Sequence, residues 1–203
     1  MKPRGDSYGG LSRLERSAQR RERLVEAAVE LFSARAYDDV TVADVCIRAQ
    51  VSKRYFYEHF TDRGDLVFQV HTEQNRWLLD GMVAASPRNP SGPRELVFPM
   101  MKALATMLSE HPQRARIIYI DAPRLESLRR ESLRRQAEFL GRLIREVVGP
   151  QHDRVLFQRV SLALVAGISQ VVTEWVTRGM TDPVDPLVEH LTRIVCAVLH
   201  DLG

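Results

Sequence analysis

The ten residues Val51–Phe60, "VSKRYFYEHF", place Lys53, Arg54, Tyr55, Tyr57 and His59 among the apolar Val51, Phe56 and Phe60. Such a stretch is either a solvated helix with a few core anchors or a helix made to lie against a grooved, negatively charged surface. Its N-terminal neighbours bear on the choice. Thr41 opens a short helix with the Thr-x-x-Asp pattern of a capping box, and Val42, Val45 and Cys46 share one face of it. Gln50-Val51-Ser52 then separates this helix from the quoted stretch, for which Ser52 is the natural N-cap. Two short helices joined by a tight turn, the second cationic and aromatic, make a helix-turn-helix pattern. Val45, Ala49, Val51 and Phe56 must be apolar to hold the crossing, which leaves Ser52, Lys53, Arg54, Tyr55 and Tyr57 on the exposed N-terminal side of the second helix. Unsatisfied N–H groups and the positive end of the helix dipole attract phosphate there.

Outward from this segment the chain reads as helix throughout. Upstream, Leu24, Ala27, Ala28, Leu31 and Phe32 recur at helical spacing in a pattern that begins near Arg13 and ends before Tyr37-Asp38-Asp39. Downstream, Asp62 caps a helix that runs to about Ala85. The breaker-rich "SPRNPSGP" at 86–93 is the best internal boundary. Five further helical stretches follow, at about 94–110, 113–121, 124–148, 152–178 and 183–202, each closed by proline or glycine or by the chain end. No segment reads as a strand. The expectation is an all-α protein of about nine helices, three small ones and then a larger bundle, with a disordered arm over 1–12.

Composition narrows the function. The chain has 203 residues, 44% hydrophobic and 27% charged, with a net charge of only +3, so any affinity for nucleic acid must come from a local patch. From Met1 to Val25 seven Lys/Arg face three Asp/Glu, and such a basic arm either reaches a neighbouring groove or is simply solvated. Only Lys2, Lys53 and Lys102 among the 29 basic residues are lysine. Cys46 and Cys196 stand 150 positions apart with no metal-ligand spacing, which suits a reducing cytoplasm and predicts neither disulfide nor metal. No apolar leader and no uninterrupted apolar run of about 18 residues is present, so no membrane partner is expected. Neither HExxH, a nucleophile elbow, a P-loop nor dinucleotide-binding glycines occur, so no catalytic residue and no cofactor is expected.

The segment "TVADVCIRAQVSKRYFYEHFTDRGDL", together with the preceding "AAVELFSARAYDDVT", resembles the N-terminal domain of the tetracycline-repressor (TetR/AcrR) family of bacterial transcription regulators. The resemblance is close over residues 20–66. It is looser at "HPQRAR" and at "LVAGISQVVTEWVTRG", which is similar to the family's dimerisation helix. It implies a ligand-responsive regulator, a repressor, that binds a palindromic double-stranded operator as a homodimer and lets go when a small-molecule effector enters the C-terminal domain. On that reading residues 13–61 are the DNA-binding domain and 62–203 the effector-binding and dimerisation domain, in a cytoplasmic, nucleoid-bound protein. An effector-independent protein of the same fold, organising the chromosome, is the alternative within DNA binding. An enzyme is the alternative from another class.

Carried over residue by residue, the resemblance puts Thr41, Tyr57, His59 and Arg63 on phosphates, with Lys53 and Tyr55 where contacts vary with operator sequence. Ser52 belongs to the same surface. Three departures stand out: Gln50 for the usual turn glycine, Arg54 for a frequent glycine, and Gly64 for a glutamate. Arg54 either reads a guanine edge or clamps a phosphate.

In the second half, two apolar faces run along residues 155–176. Leu156, Val160, Ala163, Gly167 and Val171 mark one, and Phe157, Leu164, Ile168, Val172 and Trp175 the other. A helix apolar on two faces needs two partners. With Leu187, Leu191, Ile194 and Val198 of the final helix, the expected result is an isologous four-helix dimer interface, for which Leu164, Gly167, Ile168, Val171, Trp175, Leu191, Ile194 and Val198 are the candidates. Candidate effector residues are His71, Gln74, Trp77 and Leu78 along the helix 63–85, with Phe98, Met101, Met107, Tyr119 and Phe139. Each of these is equally read as ordinary core, and Arg114, Arg116 and Arg124 either favour an anionic effector or form a solvated face.

Overall fold

Capping chemistry sets where the helices of this chain begin. The computed structural model describes residues 12–121, 126–149 and 152–200, so all of the arm expected over 1–12 except Ser12 lies outside the described residues, as does Arg124. Helix α1 spans Arg13–Ala34 and starts at a reciprocal capping box between Ser12 and Glu15. After a 3-10 turn at Tyr37–Asp39, α2 covers Val42–Ala49. The Thr41–Asp44 box forms as its sequence predicts: each side chain satisfies the other's backbone N–H. Gln50 then adopts the left-handed conformation (φ 53°, ψ 42°) and sends its N–H back to the α2 carbonyls, so the turn is made without the glycine that would adopt it most easily. Helix α3 spans Lys53–Tyr57 and α4 spans Arg63–Ala85, where Asp62 Oδ1 caps the Asp65 N–H at 2.8 Å.

Helix α5, Pro93–Glu110, carries Pro93 in its first turn and Pro99 in its interior, a position that removes one i→i−4 hydrogen bond. Helix α6, Pro112–Arg116, runs into a π-turn at Ile117–Asp121. Helices α7 (Glu126–Val148), α8 (Arg154–Thr177) and α9 (Val184–His200) complete the chain. Asp153 caps α8 with bonds from the Val155 and Leu156 N–H groups. At its other end Gly179 and Met180 take positive φ while their N–H groups return to Val176 and Trp175, as a glycine-led helix stop does. The fold is all-α: nine helices and no strand among the described residues.

Two compact units divide between Val70 and His71, inside α4. In the first, α1 packs on α2 and α3 around Leu24, Ala28, Phe32, Val45, Phe56 and Phe60, all buried. In the second, α5 packs along α9 and α7 along α8, around a core that includes Leu104, Leu108, Ile144, Val172 and Leu191. Helix α8 is long and apolar enough to cross a membrane by length and composition, with a mean hydropathy of 1.7 over its best window. Here one side of it, from Phe157 through Leu164 and Val172 to Val176, is core of the bundle, while Leu156, Leu162 and Val171 on other sides remain exposed.

Candidate functional site

The helix-turn-helix presents its polar side chains outward because its aromatic ones are divided by position. Phe56 and Phe60 are buried, 5.4 Å apart between ring centroids, and fix α3 to the three-helix core. Ser52, Lys53, Arg54, Tyr55 and Tyr57 are exposed. Arg54 has 87% of its side chain exposed and is only loosely tethered, its Nε 3.8 Å from Glu58 Oε1. Tyr57 is 58% exposed and touches Phe56 edge-on. Ser52 takes the extended N-cap conformation, yet its hydroxyl makes no capping bond and stays available on the surface.

The residues that the resemblance puts on phosphates are held in different ways. The Thr41 hydroxyl donates to Asp44 Oδ2 at 2.7 Å, so its proton is already engaged in the capping box. The Asp44 carboxyl is correspondingly held below its usual range, by the Thr41 backbone bond first and the hydroxyl second. His59 is half-buried, with Nε2 3.4 Å from Ser17 Oγ of α1. Arg63 donates to the Val40 carbonyl at 2.9 Å and to that of Asp38 at 3.4 Å, so it ties the turn ahead of α2 to the start of α4.

Helix α1 adds a residue that the sequence reading did not single out. The Arg20 guanidinium lies 4.1 Å from the centre of the Tyr55 ring, and its Nε is buried without a hydrogen-bond partner. Beside it Arg21 donates to Gln69 Oε1 at 2.9 Å. The usable signal was periodicity: Ser17, Arg20, Arg21 and Leu24 share one face of α1, continuing its buried stripe toward α3.

In the second unit, three adjoining cavities of about 50, 250 and 150 Å³ lie among α4, α5, the π-turn, α7 and α8. Asn75 and Gln136 border all three. Gln136 Nε2 donates to Asn75 Oδ1 at 2.9 Å and lies 3.0 Å from Ser132 Oγ, while Asn75 Nδ2 lies 2.8 Å from His71 Nε2. His71 is buried, and burial pulls its pKa down to about 4 against a bond to the Ile118 carbonyl that favours the proton. A neutral ring, with one donor for Ile118 and one acceptor for Asn75, fits this network; a protonated ring would set donor against donor. Burial likewise pushes the Tyr119 phenol up.

Leu78, Met101, Tyr119 and Phe139 line the innermost, apolar cavity, and His71 lines the two outer ones. The other expected effector residues are placed elsewhere. Gln74 is buried with Oε1 unpartnered. Trp77 lies edge-on to His111 and under the Arg114 guanidinium at 4.3 Å. Phe98 lines a separate surface groove beside Arg94, and Met107 fills the space over Gly81. Charge borders only the outer cavities, through Arg76, Asp80, Arg129 and Arg135. Asn75 and Gln136 were missed; Asn75 is one helical turn past His71, but Gln136 is 61 residues further on, in an arginine-rich helix that gives no sign of it.

The expected dimer residues also fall into two sets. Leu164, Ile168, Trp175 and Leu191 are buried in this chain's own core. Gly167 and Val171 are exposed, Ile194 is 50% exposed and Val198 is half-buried. A Cβ added at Gly167 would meet nothing within 4 Å.

A three-helix unit whose third short helix sends cationic and aromatic side chains to the surface, ahead of a larger helical unit, defines a helix-turn-helix transcriptional regulator. Residues 24–70 match the family described as bacterial regulatory proteins, tetR family. It is 25% identical over 178 residues to the HTH-type transcriptional regulator TcmR of Streptomyces glaucescens, an overlap of 80% of this chain and 75% of TcmR. Its fold is also that of SmeT, the repressor of the Stenotrophomonas maltophilia multidrug efflux pump SmeDEF (TM-score 0.69, 15% identity, 87% of this chain and 88% of that one). The regulator FadR of Bacillus subtilis, solved with stearoyl-CoA, shares it too (TM-score 0.64, 13% identity, 87% and 98%).

Proposed function

We propose that this chain is a cytoplasmic, nucleoid-bound repressor that binds a palindromic operator as a homodimer and is released by a small-molecule effector. The observation that carries the DNA reading is the division within α3, where Phe56 is buried and Lys53, Arg54, Tyr55 and Tyr57 face outward. The dimer reading is supported by apolar residues on α8 and α9, Val171 and Ile194 among them, that are exposed among the described residues. SmeT, which has the same fold, is a repressor, and that supports the sign of regulation.

The cavities favour an effector-responsive protein over one that only organises the chromosome. The innermost is lined mainly by Leu, Met, Phe and Tyr side chains and holds no charged group, while its polar border includes the neutral Asn75, Gln136 and Ser169. A charge placed there would be unpaired, so the effector is a largely apolar molecule whose buried part is uncharged. Helix α4 carries His71, Asn75 and Leu78 and also begins next to the helix-turn-helix, at Arg63. A ligand can shift DNA affinity only by binding two arrangements unequally, and about 1–3 kcal/mol of coupling is typical. A small tilt of α4 in each protomer would change the spacing of the paired recognition helices.

The test is to incubate the purified protein with sheared DNA from its own genome and sequence what it retains. The expected result is a small set of fragments sharing a palindrome. Uniform retention without a shared sequence contradicts the proposal.

A further inference from the structure

We propose that Arg20 and Tyr55 form one DNA-contacting unit, in which the Tyr55 ring seats the Arg20 guanidinium against a phosphate beside the bases that α3 faces. The proposal rests on the reading of α3 as the recognition helix. Arg20 belongs to α1, outside the helix-turn-helix, yet its guanidinium lies 4.1 Å from the centre of a ring that is itself 37% exposed on the expected DNA-facing side. Stacking uses the flat face of a guanidinium and leaves its N–H edges free to bind an oxyanion.

Two features distinguish Arg20 from a solvated cation. Several other cations of the first unit have partners: Arg21 bonds Gln69, Arg48 pairs with Glu30, and Arg54 approaches Glu58. Among the described residues no carboxylate pairs with Arg20, and its Nε is buried with no acceptor. A charged group fixed on an aromatic ring, with no carboxylate supplied by the protein, is arranged to receive an anion from outside at its terminal N–H groups. The anion is a backbone phosphate, since a cation delivered from the flank of the recognition helix meets the sugar–phosphate edge of the groove before it meets a base.

The experiment measures how affinity for a fragment recovered from the protein's own genome depends on salt, in full-length native chain, Arg20→Gln, Tyr55→Phe, Tyr55→Leu and the Arg20→Gln/Tyr55→Leu double variant. Helix content by circular dichroism confirms that each is folded. Arg20→Gln should reduce the slope of log K against log salt by about 0.9 per bound protomer. It should also weaken binding about tenfold, the loss of one charged hydrogen bond. Tyr55→Phe keeps the ring and should keep the native slope. Tyr55→Leu removes the seat and should lower the slope as Arg20→Gln does, and the double variant should lose no more slope than either single one. An unchanged slope in Arg20→Gln, or slope losses that add in the double variant, overturns the unit. If the native chain retains no specific fragment, the recognition-helix reading fails first; if it does and the Arg20→Gln slope is native, this inference alone fails.

Discussion

Gln136 Nε2 donates to Asn75 Oδ1 across 2.9 Å, from α7 to α4, and three adjoining cavities of the second unit are bordered by both residues. Breaking it would join the chambers, and a ligand long enough to reach from the apolar inner cavity to the outer ones must replace it with polar groups of its own. Gln136 Nε2 would keep Ser132 Oγ, but Asn75 Oδ1 left without a donor would cost about 1–3 kcal/mol.

That arrangement gives a first test. Phe139 borders both the inner cavity and the larger outer one. Phe139→Ala should enlarge the space and raise the affinity of the neutral dye Nile red, followed by its fluorescence, while ligand-free DNA binding stays within about twofold. A dye affinity indifferent to Phe139 and to its neighbour Leu140 would remove the pocket from the account.

Gln74 gives a second. Its Oε1 is buried with no partner, which ordinarily costs about 1–3 kcal/mol. Gln74→Met keeps the length of the side chain and removes the orphan, so unfolding in urea should show a gain of about 1 kcal/mol. A loss of stability would mean that the oxygen is satisfied in solution.

His71 makes stability depend on pH. Folded, it takes its proton near pH 4; unfolded, near 6.5. Between these values the unfolded chain binds more protons, so the contribution is whole above about pH 6.5 and falls away as pH drops toward 4, by at most about 3 kcal/mol. Urea unfolding of the native chain and of His71→Gln from pH 7.5 to 4 should show the native curve falling toward the variant's. Parallel curves would contradict the buried, neutral ring.

Much of the first unit was legible in the sequence because its signals are local. The Thr41–Asp44 box, the Gln50 turn and the burial of Val45, Phe56 and Phe60 all follow from residues within a few positions of one another. The Arg20–Tyr55 stack and the Asn75–Gln136 bond join residues far apart in sequence, and no periodicity reports which side chains meet across a crossing. Helix α8 shows the same limit. Its two apolar faces are plain in the sequence, but only the packing shows that Leu164, Ile168 and Trp175 are covered by this chain while Val171 is left open. Pro99 inside α5 is a breaker overridden by the packing of Met100, Leu104 and Leu108.

Gly167 offers a clean test of the dimer, because a Cβ there meets no atom within 4 Å. Gly167→Arg should leave helix content and single-chain folding intact while shifting sedimentation from dimer to monomer at micromolar concentration. Palindromic DNA binding should fall with it. A variant that stays dimeric would move the interface off this face of α8.

The central claim, that paired copies of α3 read a palindrome, is tested most directly by a hydroxyl-radical footprint of the native protein on a recovered genomic fragment. The account predicts two protected half-sites of equal depth, related by two-fold symmetry, with centres about one helical turn (roughly 34–36 Å) or a small multiple of it apart. A single unpaired protected stretch, or protection spread evenly along the DNA, would contradict it.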